Sequence, residues 1–213
     1  MTTLTLDEEA EEYHQQLLDH QAGLDWHHQR GINLTTIREH RLGWITEPLS
    51  KQAEWAVDRP VIPYLTPRAG CVELKARTGR KPGPKYLKLG SEFPLPTKMR
   101  LYNALHAMPS PRTGQVLVVE GEYDTLIALQ AGYRACGIAG VQGWNRTWEH
   151  LFQDSEVVVV CDGDQAGREA AEKLVGMLEQ RTIKCRAASL PEGSDLTDLW
   201  LDGGKDRVRK VVG

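Results

Sequence analysis

The sequence predicts an α/β chain in which a parallel-rich sheet flanked by helices is preceded by a small α+β subdomain. Three observations carry that reading. Short apolar runs alternate with helical patterns through the second half, as in βαβ units. Val157-Val158-Val159-Val160 is an unbroken run of β-branched residues, the mark of a strand buried on both faces. The first half instead passes from helical patterns to short β-like runs separated by Pro and Gly. The halves are expected to meet near Pro109-Ser110-Pro111, giving segments 1–110 and 111–213.

In chain order, an amphipathic helix is expected from Leu6 to His20, with Tyr13, Leu17 and Leu18 on one face. A shorter helix follows around Asp25–Gln29 and stops at Arg30-Gly31, where glycine favours termination. Leu34–His40 and then Gly43-Trp44 lead to the β-like runs Pro60–Leu65, Cys71–Arg77 and Tyr86–Leu89. The second half opens with the strand Val116–Val119 and a helix over Tyr123–Gln130. Ala135–Ala139 is the next strand, with a helix around Trp148–Phe152 after it. Val157–Val160 precedes a helix over Gln165–Gln180, and Cys185–Leu190 is a fourth run followed by short helices.

Composition narrows the class. An apolar content of 40% and a charged content of 26% are those of an ordinary globular protein. No apolar run approaches the roughly 20 residues that cross a bilayer. The acidic start (Asp7, Glu8, Glu9, Glu11, Glu12) is unlike a signal peptide, so a cytoplasmic location is expected. Cys71, Cys136, Cys161 and Cys185 are far apart and form no CxxC pair, which suggests reduced thiols and no zinc site. The net charge of −3 says little about nucleic acid; its placement says more. From Arg68 to Arg100 run Arg68, Lys75, Arg77, Arg80, Lys81, Lys85, Lys88, Lys98 and Arg100, against Glu73 and Glu92. That stretch fits either a solvated basic loop or a basic groove beside an acidic, cation-loaded site.

The acids fall where an open parallel sheet collects its chemistry, beyond the carboxyl ends of the strands. Val116–Val119 runs into Glu120-Gly121-Glu122-Tyr123-Asp124, and Val157–Cys161 runs into Asp162-Gly163-Asp164. Ala187–Leu190 leads to Asp195, with Asp198 one helical turn on. If these strands share a sheet their carboxylates meet at one rim, and the mutual repulsion makes sense if divalent cations are held there. Magnesium is the hard, oxygen-preferring candidate, with manganese as substitute. Taken singly, Asp164 fits a helix N-cap equally well and Asp198 a surface residue. A phosphoacceptor domain would want a lone acceptor Asp and a later strand-end Lys, which the sequence does not show.

Glu120-Gly121-Glu122-Tyr123-Asp124 and Asp162-Gly163-Asp164-Gln165-Ala166-Gly167, with Gly140 and Gly143 between them, resemble the Toprim signature of topoisomerases, DnaG-type primases and some nucleases. The resemblance covers residues 115–201. It implies Glu120 as general acid/base, Asp162 and Asp164 as magnesium ligands, and Asp124 as a supporting acid. Leu190-Pro191-Glu192-Gly193-Ser194-Asp195 is similar to the primase segment whose further acids join the metal site, which implies Asp195 and Asp198. The first half resembles the DnaG-type polymerase core in Tyr13-His14, Arg30-Gly31-Ile32, Leu42-Gly43-Trp44, Val61-Ile62-Pro63-Tyr64, Pro84-Lys85-Tyr86 and Leu101-Tyr102. This likeness implies Arg30, Arg77, Lys85 and Lys98 as nucleotide- and DNA-binding residues. Lys75-Ala76-Arg77 departs from the family's Gly-Arg.

The resemblance therefore implies an enzyme making RNA primers on single-stranded DNA from ribonucleoside triphosphates, a nucleotidyltransferase of the DNA-directed RNA polymerase kind. The rivals are a Toprim nuclease using the same acids, and a single-stranded-DNA-binding accessory subunit. The family's zinc module and helicase-binding region have no counterpart in these residues, so a replicative helicase or other replisome protein is expected to deliver the template. The Met1-Thr2-Thr3 start fits a small natural protein of the kind phages encode, an excised fragment being the other reading.

Overall fold

The computed structural model describes residues 4–67, 69–79, 85–91, 101–104, 114–140 and 143–213. The chain divides into two compact units, Met1–Pro94 and Leu95–Gly213. This division lies earlier than the Pro109-Ser110-Pro111 stretch suggested, because Tyr102 is tied to the second unit. Its backbone exchanges hydrogen bonds of 2.8 and 2.9 Å with Gly137, and Asn103 Nδ2 donates to the Ala135 carbonyl at 2.9 Å.

The first unit begins with α1 (Leu6–Leu18), opened by a capping box between Thr5 and Glu8. Next come α2 (Gln21–His28), α3 (Leu34–Glu39), the short strand β1 (Gly43–Trp44) and a 3₁₀ helix over Lys51–Ala56. The strands β2 (Pro60–Thr66), β3 (Gly70–Arg77) and β4 (Tyr86–Ser91) complete an antiparallel sheet of order β1-β2-β3-β4. Ala10 and Tyr13 of α1 share a core with Val61, Leu74, Ala76 and Leu89. Side chains alternate along a strand, so Glu73, Lys75 and Arg77 stand on the opposite face from Leu74 and Ala76. Asp7 ties α1 to the sheet, its Oδ1 accepting from Arg41 Nη2 at 2.6 Å and from Cys71 N at 2.7 Å. Those two donors, Arg41 foremost, hold the Asp7 carboxyl below the usual carboxylate range.

The second unit runs β5 (Gly114–Glu120), α4 (Glu122–Gln130), β6 (Arg134–Ile138), a 3₁₀ helix over Arg146–Phe152 and β7 (Ser155–Val160). It closes with α5 (Gln165–Glu179), β8 (Cys185–Ala187) and α6 (Leu196–Val212). The strand order is β6-β5-β7-β8, and all three pairings are parallel. Val116, Val118, Val157 and Val159 share a core with Leu174 and Leu178 of α5. The alternate residues Leu117, Val119, Val158 and Val160 are equally buried. Each such side chain contributes about 1.5–3 kcal/mol relative to exposure, which is why continuous apolar runs mark this sheet.

Two details differ from expectation and one agrees. The helix around Trp148–Phe152 is 3₁₀. Only Cys185–Ala187 of the fourth run pairs as a strand, beside β7. The expected short helices are present: Leu196–Val212 is two helices joined across a kink at Gly203 and Gly204, whose backbone is not helical. Gly204 has φ 60°, a conformation glycine adopts without steric cost.

Candidate functional site

The parallel register pairs Val119 of β5 with Val160 of β7, so both strands end at the same edge. Glu120 and the Cys161-Asp162 pair are therefore neighbours on adjacent central strands. A Cβ placed on Gly140, just beyond β6, would stand 3.7 Å from Glu120 Oε1, so the carboxylate lies against that glycine turn. The buried Cys161 thiol is pushed up to about 12, first by burial and then by the negative charges of Glu120 and Asp162. Both carboxylates thus bear on one point at the sheet edge. Asp162 is exposed and Glu120 half-buried.

The loop after β7 is fastened to the loop after β8. Gly163 N donates to the Ser194 carbonyl at 2.8 Å, and Gly193 N to the Gly163 carbonyl at 3.1 Å. Arg168 Nη1 bridges the Gly163 carbonyl at 2.8 Å and Glu192 Oε2 at 2.7 Å. The glycines are demanded by close approach of backbone. A Cβ on Gly163 would lie 1.9 Å from the Pro191 carbonyl oxygen, and one on Gly167 would lie 2.1 Å from that of Asp162. The Asp162-Gly163-Asp164 backbone is held in place by the chain on either side of it.

The remaining acids serve local structure in this conformation. Asp164 is the N-cap of α5, accepting from Gly167 N at 2.7 Å. Asp195 and Asp198 form the capping box of α6, each accepting from the other's backbone N–H at 2.8 and 3.1 Å. The buried Asp124 accepts from Thr197 N at 3.1 Å and Thr197 Oγ1 at 2.7 Å, joining α4 to the start of α6. Among the described residues no three His, Cys, Asp or Glu side chains gather closely enough to hold a metal ion. Glu120 and Asp162 nevertheless fit one. Magnesium is commonly bound by one or two carboxylates, with water and substrate phosphates completing its shell. The two groups offer only hard oxygen, and the neighbouring thiol stays protonated.

Three of the four basic candidates, Arg30, Arg77 and Lys85, lie in the first unit. Arg30 stacks its guanidinium 3.6 Å from the centre of the Trp26 ring, and its Nη1 donates to the Trp26 carbonyl at 3.3 Å. Arg77 lies 5.7 Å from the same ring and 5.8 Å from that of Tyr86, with Nη1 3.5 Å from Tyr86 Oη. Lys85 is exposed just before β4, its carbonyl accepting from Thr78 N at 3.1 Å. Lys98 lies outside the described residues.

Sequence reasoning missed two features. Glu73 is fully buried between Lys75 at 4.0 Å and Lys88 at 3.7 Å, and Lys75 Nζ also donates to Tyr64 Oη. The period-two spacing Glu73, Lys75, Arg77 was the signal that one sheet face is charged. Arg168 fastens the acid loop, and its position one helical turn after Asp164 was the signal there.

A Toprim-like family model matches residues 117–200. The DNA primase of Halalkalibacterium halodurans is 29% identical over 190 residues, covering 86% of this chain and 31% of that protein. The Gene 57 protein of Mycobacterium phage D29 is 31% identical over 130 residues, covering 61% of this chain and 78% of its own. The crystal structure of a DNA primase domain from Pseudomonas aeruginosa matches 95% of this chain and 75% of that one, at a TM-score of 0.73 and 25% identity. The chain spans about a third of the length of the Halalkalibacterium primase.

Proposed function

Because the chain belongs to the DnaG-type primase family and carries its Toprim domain, we propose that it makes short RNA primers on single-stranded DNA by metal-dependent nucleotidyl transfer. The observation that supports this most is the meeting of Glu120 and Asp162 at one end of adjacent parallel strands, both acting on Cys161. In the reaction a 3′-hydroxyl oxygen forms a bond to the α-phosphorus of a ribonucleoside triphosphate, and pyrophosphate leaves with the electrons of the broken P–O bond. Glu120 is suited to take the hydroxyl proton, and with Asp162 and Asp164 to hold Mg²⁺ or Mn²⁺. Such an ion, when bound, supplies positive charge to the attacking oxygen and the departing pyrophosphate. Asp195, Asp198 and Asp124 support the same edge through the α6 cap. Arg30, Arg77, Lys85 and Lys98 neutralise template and triphosphate phosphates, Arg as a fork and Lys as a point charge. Single-stranded DNA, ribonucleotides and a replicative helicase or other replisome protein are the partners this reading requires, in the cytosol.

The test incubates the protein with single-stranded DNA, labelled ribonucleotides and Mg²⁺ or Mn²⁺. Template-dependent oligoribonucleotides that fall by about 100-fold or more in Asp162→Asn and Glu120→Gln support the primase. Cleaved nucleic acid without synthesis identifies a nuclease. Binding with neither, even beside a helicase, identifies an accessory subunit.

A further inference from the structure

Trp26 reaches both arginines proposed to hold phosphate. It lies on α2, and Arg30 follows four residues later in the turn just past the end of that helix. The Arg30 guanidinium lies 3.6 Å from the indole centre, full stacking contact. Arg77 arrives from β3 at 5.7 Å from that ring, with Tyr86 of β4 beside it at 5.8 Å. Two like charges near one ring repel each other. The negative faces of an indole offset that repulsion, and a guanidinium has five N–H donors, so one engaged by the Trp26 carbonyl does not prevent others from turning to phosphate oxygens. The indole is itself fixed. Trp44, buried in β1, meets it edge-on at 5.9 Å and 63°, and the buried His27 does so at 5.1 Å and 83°.

Resting on the reading of Arg30 and Arg77 as phosphate-binding residues, we infer that Trp26 is a positioning residue whose indole, backed by Trp44, holds the two guanidiniums as a paired clamp for phosphate. A template phosphodiester and the phosphates of an incoming nucleotide share that chemistry, and the test separates them.

Affinities for a fluorescent single-stranded DNA oligonucleotide and for ATP with Mg²⁺ are measured on the full chain, with its melting temperature. The variants are Trp26→Leu, which keeps an apolar side chain without a π face, Trp26→Phe, Arg30→Ala, Arg77→Ala and the Trp26→Leu/Arg30→Ala double. Trp26→Leu is expected to weaken at least one ligand by about tenfold, and the ligand affected names the phosphate that is gripped. Trp26→Phe stays within about threefold of wild type, because a ring face remains. Adding Trp26→Leu to Arg30→Ala costs clearly less than Trp26→Leu costs in the wild type, since only the share that runs through Arg77 remains. The inference is overturned if Trp26→Leu binds both ligands like wild type while the arginine variants do not. Equal losses in Trp26→Phe and Trp26→Leu, or a full additional loss in the double variant, overturn it too, because either describes a packing role alone. If Arg30→Ala and Arg77→Ala both bind like wild type, the phosphate-binding reading itself fails.

Discussion

A methyl group on Gly163 would lie 1.9 Å from the Pro191 carbonyl oxygen, and backbone on both sides leaves it nowhere to go. Gly163→Ala is expected to cost about 1–3 kcal/mol in urea unfolding, and to lower primer synthesis by moving Asp162 and Asp164. Stability or activity equal to wild type would show that the two loops are not locked together. His27 carries a pH dependence. Burial, then the charges of Arg30 and His28, hold its imidazole down to about 3 against an ordinary 6.5, opposed by a hydrogen bond with the Gly43 backbone. The folded state keeps it neutral while the unfolded chain protonates it below about 6.5, so stability present above that pH is lost as pH falls towards 3. The expected slope is about 1.4 kcal/mol per pH unit. Urea unfolding at successive pH values should show this extra slope in wild type and its loss in His27→Gln. The position of Glu120 and Asp162 at the sheet edge was legible at this scale because each directly follows an apolar run, Val116–Val119 and Val157–Cys161. The place of Trp26 was not, because its approach to Arg77 depends on how β3 folds back beside α2.

Among the elements, α5 begins on a residue with two duties. Asp164 caps the helix through Gly167 N and is also proposed to hold metal. Asp164→Asn keeps an oxygen for the cap, so stability should stay within a few tenths of a kcal/mol, by the near equality of Asn and Asp as caps. Asp164→Ala should lose about 0.5–2 kcal/mol. If the carboxylate matters to catalysis, both variants lose primer synthesis alike. An active Asp164→Asn would leave Asp164 as a cap alone. This is why the spacing of acids could not by itself separate cap from ligand: both uses place Asp just before a helix. Strand and helix positions were largely legible, since the Val157–Val160 run and the Tyr123–Gln130 pattern depend on local burial. The three-residue length of β8 was not, because it is set by pairing with β7 from Val157 to Val159 rather than by its own composition.

At the scale of the molecule, alternating apolar strands and helices led to a parallel sheet, and the order β6-β5-β7-β8 brings the two acid-bearing strands together at its centre. The pairing of Tyr102 with Gly137 was not legible, because it runs through backbone groups that no side-chain pattern encodes. The most direct test of two distant carboxylates serving one ion is cleavage by bound Fe²⁺, with ascorbate and peroxide, in place of Mg²⁺. The protein is expected to be cut near Glu120 and near Asp162 together, with both cuts suppressed by Mg²⁺ and both lost in Glu120→Gln or Asp162→Asn. Cuts at only one of these positions, or cuts at both that survive either substitution, would contradict a shared site.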